Sequence, residues 1–269
     1  MTFDWNEWLH IVTRWVHVFA GILWIGQTYF FTWLDGRFHE LAKAAKEKKG
    51  DPNVWMVHSG GFYVVEKQSV PRMFSNKLHW FKWEAAMTWL SGMILLILVY
   101  YTGGMLIDAA VDETAAIGIG LAFLVVGWVV YDLLWKSPLG KTEWLAVAIS
   151  FLVSVAAIYG LSQVFGGRTA YIHAGALFGT IMTANVWMRI LPAQRKMVGA
   201  LQRGEQVDLS LAERAKQRSR HNTFLIVPVV FIMISNHYPT SSYAAEYNWI
   251  ILSVLVALGW GAAYFLRRA

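Results

Sequence analysis

The sequence contains no cysteine and little charge. Without cysteine the chain can form no disulfide, no thiolate metal site and no iron–sulfur cluster, and it cannot attach a haem covalently through a CxxCH motif. Only 15% of its 269 residues are charged, whereas soluble domains average about 25%. A chain of this length with 57% hydrophobic residues cannot hide its apolar surface in one soluble core, so the composition predicts a membrane protein.

Long apolar segments dominate the chain. Most have about 20 residues or slightly more, enough to cross about 30 Å of hydrocarbon at 1.5 Å per residue. The pattern predicts an all-α polytopic membrane helix bundle, a single domain over residues 1–269 with seven or eight transmembrane helices. The seven segments are Trp8–Leu34, Trp80–Tyr101, Thr114–Trp135, Trp144–Phe165, Thr169–Leu191, the shorter Asn222–Ser235 with its flanks, and Trp249–Leu266.

The basic residues predict an orientation. Of the 23 Lys and Arg residues, all but Arg14 and Arg168 fall on one side of a seven-span arrangement. The positive-inside rule then places the N-terminus outside and the C-terminus in the cytoplasm, with long cytoplasmic loops at 36–79 and 193–220. The basic residues behind the net charge of +6 are therefore explained by membrane orientation, and we expect no nucleic-acid partner.

Polar residues within the apolar segments mark two candidate faces. Ionisable side chains cost roughly 2.5–3.5 kcal/mol each in a bilayer, so they usually face the bundle interior. In each case the spacing of three or four residues defines a single helix face, which fits either a cofactor or substrate face or a packing seam. The first segment carries His10, Arg14, His17, Gly21, Trp24 and Thr28, and the fifth carries His173, Ala176, Thr180, Thr183 and Trp187.

Three histidines are candidate axial ligands for a b-type haem, since neutral imidazole is the usual ligand of such a haem. His17 lies near the middle of the first segment, and His173 lies in the outer half of the fifth. His237 follows the sixth segment at its outer end. A haem between His17 and His173 would require these two residues to face each other at comparable depth.

A second polar group lies at the predicted cytoplasmic boundary. His79 opens the second segment and His221 opens the sixth, while His58 lies in a loop that can fold over them. Glu84 lies one turn deeper than the lysines and tryptophans around it. An interfacial aromatic belt with snorkelling lysines explains those lysines and tryptophans, but it does not explain His79 and Glu84.

Several motifs, taken in order, resemble the membrane domain of the bacterial membrane-bound urate oxidases, the urate hydroxylase family. The resemblance covers nearly the whole chain. The motifs are RWVHVFAGILWIGQTYFFTWLD (14–35), VHSGGFYVVEK (57–67), LHWFKWEAAMTWLSG (78–92), YD (131–132), GRTAYIHAGALFGTIMTANVW (167–187), RSRHNTFLIVPVVFIMISNHYP (218–239) and NW (248–249).

The resemblance implies a protein of the bacterial inner membrane that oxidises urate in purine breakdown and passes electrons through haem b to the respiratory chain. Family members commonly carry a C-terminal cytochrome c domain after one more membrane helix. This sequence stops at LRRA without a CxxCH motif. We therefore expect a separate cytochrome c or a quinone to accept the electrons.

Urate is a planar purine and mostly a monoanion, so its site needs cations, amide donors and an aromatic surface. Oxidation also needs a general base near neutral pH, for which we expect His79 or His221, oriented by Glu84. The candidate urate-binding residues are Arg218, Asn222, Lys82, Trp80 and His58.

Three alternatives stay open. In the first, His79 and His221 hold the haem, and Arg14 and His17 line a quinone or proton path. In the second, His58, His79 and His221 hold a non-haem metal. In the third, the chain is a non-catalytic accessory subunit that binds haem or another cofactor within a larger respiratory or photosynthetic membrane complex.

Overall fold

The computed structural model describes residues 4–46, 52–68, 70–71, 77–106 and 108–267, and most of them are helical. This confirms the predicted all-α bundle. A π-helical turn (Leu96–Tyr101) extends α2, and another (Val186–Ile190) joins α5 to α6 in one rod. The helices are α1 (Trp5–Lys46), α2 (Trp83–Leu95), α3 (Glu113–Lys136), α4 (Glu143–Val164), α5 (Gly167–Asn185), α6 (Leu191–Gln202), α7 (Leu209–Ser235) and α8 (Asn248–Leu266).

Within the described ranges, six helical rods are long and apolar enough to cross a membrane, and they cover 5–44, 83–101, 113–136, 143–164, 167–202 and 248–266. Helix α7, which contains the sixth predicted segment, is not among them, because polar residues fill its N-terminal half up to Thr223. It packs against α5 and α8 in the middle of the bundle, where neighbouring helices surround its polar side chains. Lys48, Lys49, Arg72 and Arg268, which contributed to the predicted orientation, lie outside the described residues.

The two ranges predicted as long loops contain regular structure. Helix α1 continues to Lys46, and an antiparallel hairpin of β1 (Val54–His58) and β2 (Gly61–Val65) follows it. In the second range, α6 and the start of α7 are helical. Both ranges are rich in lysine, arginine and glutamate, which favour solvent but are also good helix formers, so charge alone did not distinguish loop from helix.

Aspartates begin three of the described helices, and at the start of α1 the Asp4 carboxylate accepts a hydrogen bond from the Asn6 amide (2.9 Å). The Asp112 carboxylate accepts a hydrogen bond from the Ala115 amide (3.0 Å) at the start of α3. At the start of α7, the Asp208 carboxylate accepts from the Ser210 amide (2.9 Å). Hydrogen bonds from Ser210 hold the pKa of Asp208 below its usual value.

Helices α5 and α7 form the centre of the bundle and approach each other closely. A Cβ on Gly175 would lie 2.8 Å from the Cγ2 atom of Ile232, so a side chain at this position would push the helices apart. On another side of α5, Gly127 of α3 permits a similar approach, since a Cβ there would lie 2.3 Å from Leu177 Cδ1. Glycine therefore sets the helix spacing at the core.

One buried carboxylate joins α3 to both central rods. The Asp132 side chain is 5% exposed and accepts from Arg189 Nε at 2.7 Å, in the π-helical turn after α5. Arg218 Nη2 of α7 lies 3.0 Å from the same carboxylate, and Lys136 Nζ of α3 lies 2.9 Å from it. We call these four residues the Asp132 cluster. Because Arg218 is 6% exposed on its side chain, its charge depends on this carboxylate for compensation.

We expect Asp132→Asn to lower the free energy of unfolding by about 3–5 kcal/mol, since it leaves buried guanidinium charge uncompensated. Asp35→Asn is the matched control, because Asp35 and its partner Lys67 are each about half exposed and such pairs contribute about 1 kcal/mol or less. Denaturant unfolding in mixed micelles measures both variants. Equal losses in the two variants would contradict the structural role assigned to the Asp132 cluster.

Candidate functional site

A cavity of about 540 Å³ lies between α1, α2, α5 and α7. We call it the His17 cavity. Four members of the predicted α1 stripe, Arg14, His17, Gly21 and Trp24, line it, which confirms that they share one face. Gly92, Gly175, Ala176 and Gly179 line the facing walls. Small residues on three helices thus leave a space within the range typical of cofactor sites.

His17 is oriented by the main chain of α2. Its Nδ1 lies 2.9 Å from the carbonyl oxygen of Thr88, which can only accept, so Nδ1 carries the proton. The hydroxyl oxygen of Ser91 lies 3.2 Å from the same nitrogen. Among the described residues Nε2 of His17 has no hydrogen-bond partner, so its lone pair is available. This is the arrangement in which imidazole ligates a metal ion.

Two guanidinium groups line one end of the His17 cavity. Arg168 donates from Nε to the Oδ1 atom of Asn236 at 3.0 Å, and Arg14 lines the same space. His237, another predicted haem ligand, lies beside Asn236 and is exposed at this end. The cavity therefore combines one oriented imidazole with cationic groups suited to carboxylates.

The structure does not bring His173 to this cavity. Its Nδ1 donates to the carbonyl oxygen of Thr169 at 2.8 Å, and its Nε2 accepts from the Tyr101 hydroxyl at 3.0 Å. The ring is fully buried and stacks on Phe165 with centroids 4.4 Å apart. A Cβ on Gly120 would lie 2.7 Å from Nε2. Both ring nitrogens of His173 are thus engaged in packing the bundle, and His173 does not line the His17 cavity.

A second cavity of about 320 Å³ lies on the other side of α5 and α7, against α3, α4 and α8. We call it the His221 cavity. Its walls are aromatic and aliphatic and include Trp135, Phe178, Phe224 and Trp260. The His221 ring lies against Trp135, with ring centroids 4.0 Å apart. The volume and the aromatic ring surfaces suit a small planar ligand.

Two residues that line the His221 cavity carry ring nitrogens without partners among the described residues. Nε2 of His221 and Nε1 of Trp260 are buried and make no hydrogen bond in the described part of the chain. The indole nitrogen is always a donor. Because an unmet buried polar group costs about 1–3 kcal/mol, such a pair indicates a site for a ligand with hydrogen-bond acceptors.

Behind His221 lies a buried polar chain. The Tyr131 hydroxyl lies 2.6 Å from His221 Nδ1, and Asn185 donates from Nδ2 to the same hydroxyl oxygen at 2.9 Å. Asn185 also donates to Asn222 Oδ1 at 3.0 Å, and Asn222 donates to the carbonyl oxygen of Met182 at 3.0 Å. Asn222, expected to bind urate, is therefore used inside the protein.

Arg218, also expected to bind urate, belongs to the Asp132 cluster. Its guanidinium carbon lies 5.0 Å from the Tyr131 ring centroid, and its Nη2 atom contacts Asp132. Among the described residues its buried Nη1 atom has no partner. Neither Arg218 nor Asn222 lines the His221 cavity, although both lie directly behind its wall.

The open end of the His221 cavity is charged. Arg220 pairs with Glu143, and both line the cavity. Arg267 lies beside this pair, with its guanidinium carbon 5.6 Å from the Phe224 ring centroid. Burial and then the charge of Arg220 lower the pKa of the Arg267 guanidinium, which still remains charged at neutral pH. The carboxylates of Glu143 and Asp35 partly offset the charges of these two guanidinium groups.

The remaining predicted residues lie elsewhere. His58 ends β1 and is exposed, and the exposed His79 contacts Phe81 with ring centroids 4.5 Å apart. Lys82 lies over Trp83, with its Nζ atom 5.2 Å from the ring centroid. Trp80 packs against the core, and the buried Oε2 atom of Glu84 has no partner among the described residues. None of these five predicted residues lines either cavity.

A metal site formed by His58, His79 and His221 is wrong for the described residues, which contain no group of three or more histidines or carboxylates able to hold a metal ion. His58 and His79 lie on the side of α1 and α2, whereas His221 faces α3. The three histidines were predicted to lie close together because the sequence places them at a similar depth in the membrane. Depth does not define which side of a bundle a residue occupies.

Asn185 and Trp260 were missed as site residues. Asn185 is a fully buried amide within an apolar helix, a signal that the sequence does carry because such groups need partners. Trp260 resembles an ordinary interfacial or core tryptophan, and only the structure shows its unpartnered nitrogen. Tyr131 was noted only as part of a short motif.

The bundle defines an α-helical membrane protein. The chain belongs to the Urate oxidase N-terminal family, whose model matches residues 4–269. No curated protein and no solved structure matches the chain.

We expect Gly92→Ala to disturb His17, because the new Cβ would lie 2.9 Å from the His17 Cε1 atom and push the ring away from Thr88. Overpacking of this kind costs about 1–3 kcal/mol of unfolding free energy. Gly118→Ala is the matched control, since a Cβ at Gly118 meets nothing within 4 Å. It should stabilise helix α3 slightly. If Gly92→Ala were as stable as this control, the close contact with His17 would be refuted.

Proposed function

We propose that this protein oxidises urate in the His221 cavity and delivers the electrons to a separate acceptor. The observation that carries the proposal is the pair of unpartnered buried nitrogens, on His221 and Trp260, in a cavity of about 320 Å³ with aromatic walls. Membership of the Urate oxidase N-terminal family supports urate as the substrate.

Urate suits the chemistry of this cavity. It is a planar purine with three carbonyl oxygens, and it carries one negative charge at neutral pH. Its carbonyl oxygens match donors such as the Trp260 indole, and its ring matches the aromatic walls formed by Trp135 and Phe224. Arg220 and Arg267 supply the positive potential that attracts an anion to the opening.

The proposed reaction removes two electrons from urate and adds the hydroxyl group of water to C5, giving the 5-hydroxylated product. Urate and one water together yield this product, two protons and two electrons. The electrons pass to an acceptor of the cytochrome c or quinone class, and the protons pass to water. The protein holds the purine by its edge, covers its faces and excludes bulk water from them.

The residues of the His17 cavity support a b-type haem as its proposed occupant. His17 has its Nδ1 proton engaged and its Nε2 lone pair available, the state in which imidazole binds iron. Arg14 and Arg168 would pair with the two carboxylates of such a group, and a side chain at Gly179 would enter the space it needs. Bound there, haem would supply one-electron chemistry that no side chain of this chain provides.

The two cavities lie on opposite faces of the α5–α7 pair. Gly179 and Met182 face the His17 cavity, whereas Phe178 and Ile181 face the His221 cavity. A layer of one helix, about 10 Å thick, separates them. Separate substrate and cofactor sites within such a short distance support an electron-transferring role.

The proposed setting is the bacterial inner membrane, with the N-terminus in the periplasm and the C-terminus in the cytoplasm. The positive-inside distribution of lysine and arginine supports this orientation. The His221 cavity, with Arg220 at its opening, would then take urate from the cytoplasmic side.

Urate should reduce the haem of the purified protein under anaerobic conditions, as measured by its visible spectrum. We expect His221→Leu to slow this reduction about 100-fold or more, because it removes a group that contacts the substrate, while leaving the haem content unchanged. His39→Leu, at an exposed position on α1, is the matched control and should react normally.

Haem that is reduced by dithionite but never by urate would contradict the enzymatic proposal and support the accessory-subunit alternative. In that case the native protein should also purify within a larger membrane complex.

The haem proposal is tested separately by spectra of two variants of the His17 cavity. His17→Leu should abolish haem binding, and Gly179→Leu should reduce it by filling the cavity, because the new Cβ itself meets nothing within 4 Å. Gly118→Leu, another open helical position, should keep the wild-type haem content. Full haem content in both cavity variants would place the haem elsewhere.

A further inference from the structure

A chain of hydrogen bonds runs from Met182 through Asn222, Asn185 and Tyr131 to His221. The Met182 end determines which group donates and which accepts in each bond. The carbonyl oxygen of Met182 can only accept, so the Asn222 atom 3.0 Å from it is the amide nitrogen. The oxygen of that amide then faces Asn185, whose Nδ2 donates to it at 3.0 Å. Reversing either amide would oppose two donors or two acceptors in a buried site, which would cost about 1–3 kcal/mol.

Tyr131 carries this direction to His221. The second hydrogen on Asn185 Nδ2 points to the Tyr131 hydroxyl oxygen at 2.9 Å. Among the described residues, the hydroxyl proton then has one acceptor, Nδ1 of His221, at 2.6 Å. This separation lies below the usual N–H···O range of about 2.7–3.2 Å and within the range of hydroxyl donors, which agrees with Tyr131 as the donor.

We infer that Tyr131 holds neutral His221 in the tautomer that carries its proton on Nε2, so that the imidazole presents a hydrogen-bond donor to the His221 cavity. Nδ1 accepts from Tyr131, and the one proton of the neutral ring therefore lies on Nε2. Tyr131, Asn185 and Asn222 are positioning residues, because they reach the cavity only through His221.

The tautomer defines what the cavity recognises. In this tautomer Nε2 of His221 is an N–H donor, as Nε1 of Trp260 is, and neither has an acceptor in the part of the chain that the structure describes. A ligand must therefore offer acceptors at both places, as the carbonyl oxygens or the deprotonated nitrogen of an oxopurine anion do. An amino group at either place would oppose donor to donor and be rejected. This consequence for the ligand rests on the proposed function, whereas the tautomer itself does not.

This inference changes the role expected for His221. A general base needs its lone pair directed at the substrate, and in this tautomer the lone pair of His221 is directed at Tyr131. His221 therefore holds the substrate by donation. His17 shows the opposite arrangement, with its proton on Nδ1 toward Thr88 and its lone pair available. The two cavities thus present imidazole in complementary states, one suited to a metal ion and the other to an acceptor atom.

The test is nitrogen NMR of the whole protein in micelles under reducing conditions, with all histidines labelled with ¹⁵N. The two ring nitrogens of a neutral imidazole have well-separated shifts, according to which one bears the proton. We expect Nε2 of His221 to be of the protonated type and Nδ1 of the unprotonated, hydrogen-bonded type. Tyr131→Phe should shift the population toward the other tautomer or to a mixture of both.

Tyr101→Phe is the matched control, because Tyr101 donates in the same way to a different histidine, His173. It should leave the His221 signals unchanged. The His221 signals are assigned as those lost in His221→Gln. If that variant does not fold, they are the signals retained in variants of each of the other seven histidines. The wild-type spectrum decides the tautomer even if Tyr131→Phe is unstable.

A proton on Nδ1 of His221 in the wild-type protein would overturn the inference, whatever urate does. Addition of urate should move the Nε2–H signal downfield while the tautomer is retained. If the tautomer is as inferred but urate causes no change, the inference about Tyr131 and His221 is supported and the proposed urate site is contradicted. The failures of the two proposals are therefore distinguishable in one set of spectra.

Discussion

The Asp132 carboxylate is the interaction on which the arrangement of the central helices depends. It holds Arg189 after α5, Arg218 on α7 and Lys136 on its own helix. A buried carboxylate among cations is stabilising only when its partners are correctly placed, so the cluster restricts how these helices can rotate against one another. Tyr131, the residue before Asp132, contacts His221. The buried ion pairs and the polar contact at the His221 cavity therefore involve neighbouring residues of α3.

Small residues determine where the bundle is closed and where it is open. Gly175 allows contact between α5 and α7, while Gly179, one turn further along, faces the His17 cavity. Because α5 presents small residues on one face and Leu177, Phe178 and Ile181 on another, it can separate two cavities of different character. The small-residue seam predicted on this helix serves both packing and cavity formation.

The histidines differ chiefly in what holds their Nδ1 atoms. Carbonyl oxygens hold the Nδ1 protons of His17 and His173, whereas a hydroxyl group faces Nδ1 of His221. Nε2 of His173 accepts a hydrogen bond from Tyr101, whereas the Nε2 lone pair of His17 remains available. Residues of one type, all in or next to apolar helices, therefore take on a structural role, a candidate ligand role and a candidate recognition role. Their immediate partners make the difference.

Sequence reasoning predicted the fold well and the site in part. The apolar segments and the one-sided α1 stripe follow from local periodicity. Six of the seven segments lie in helices able to cross a membrane, and four of the six stripe residues line one cavity. The single cytoplasmic pocket expected around His79, Glu84 and His221 is not formed, because His79 and Glu84 belong to the α1–α2 side of the bundle. Helical periodicity gives the face and depth of a residue within its own helix, but not which neighbour that face meets.

By itself, the sequence determined the class of protein and the family to which it belongs. Composition and long apolar runs require a helical membrane bundle, because only helices satisfy the backbone in lipid when no barrel pattern is present. Tertiary structure alone decided that Asn222 and Arg218 serve inside the protein and that His17 and His221 face different cavities. These outcomes depend on contacts between residues up to 90 positions apart, such as Tyr131 and His221, which local patterns do not encode.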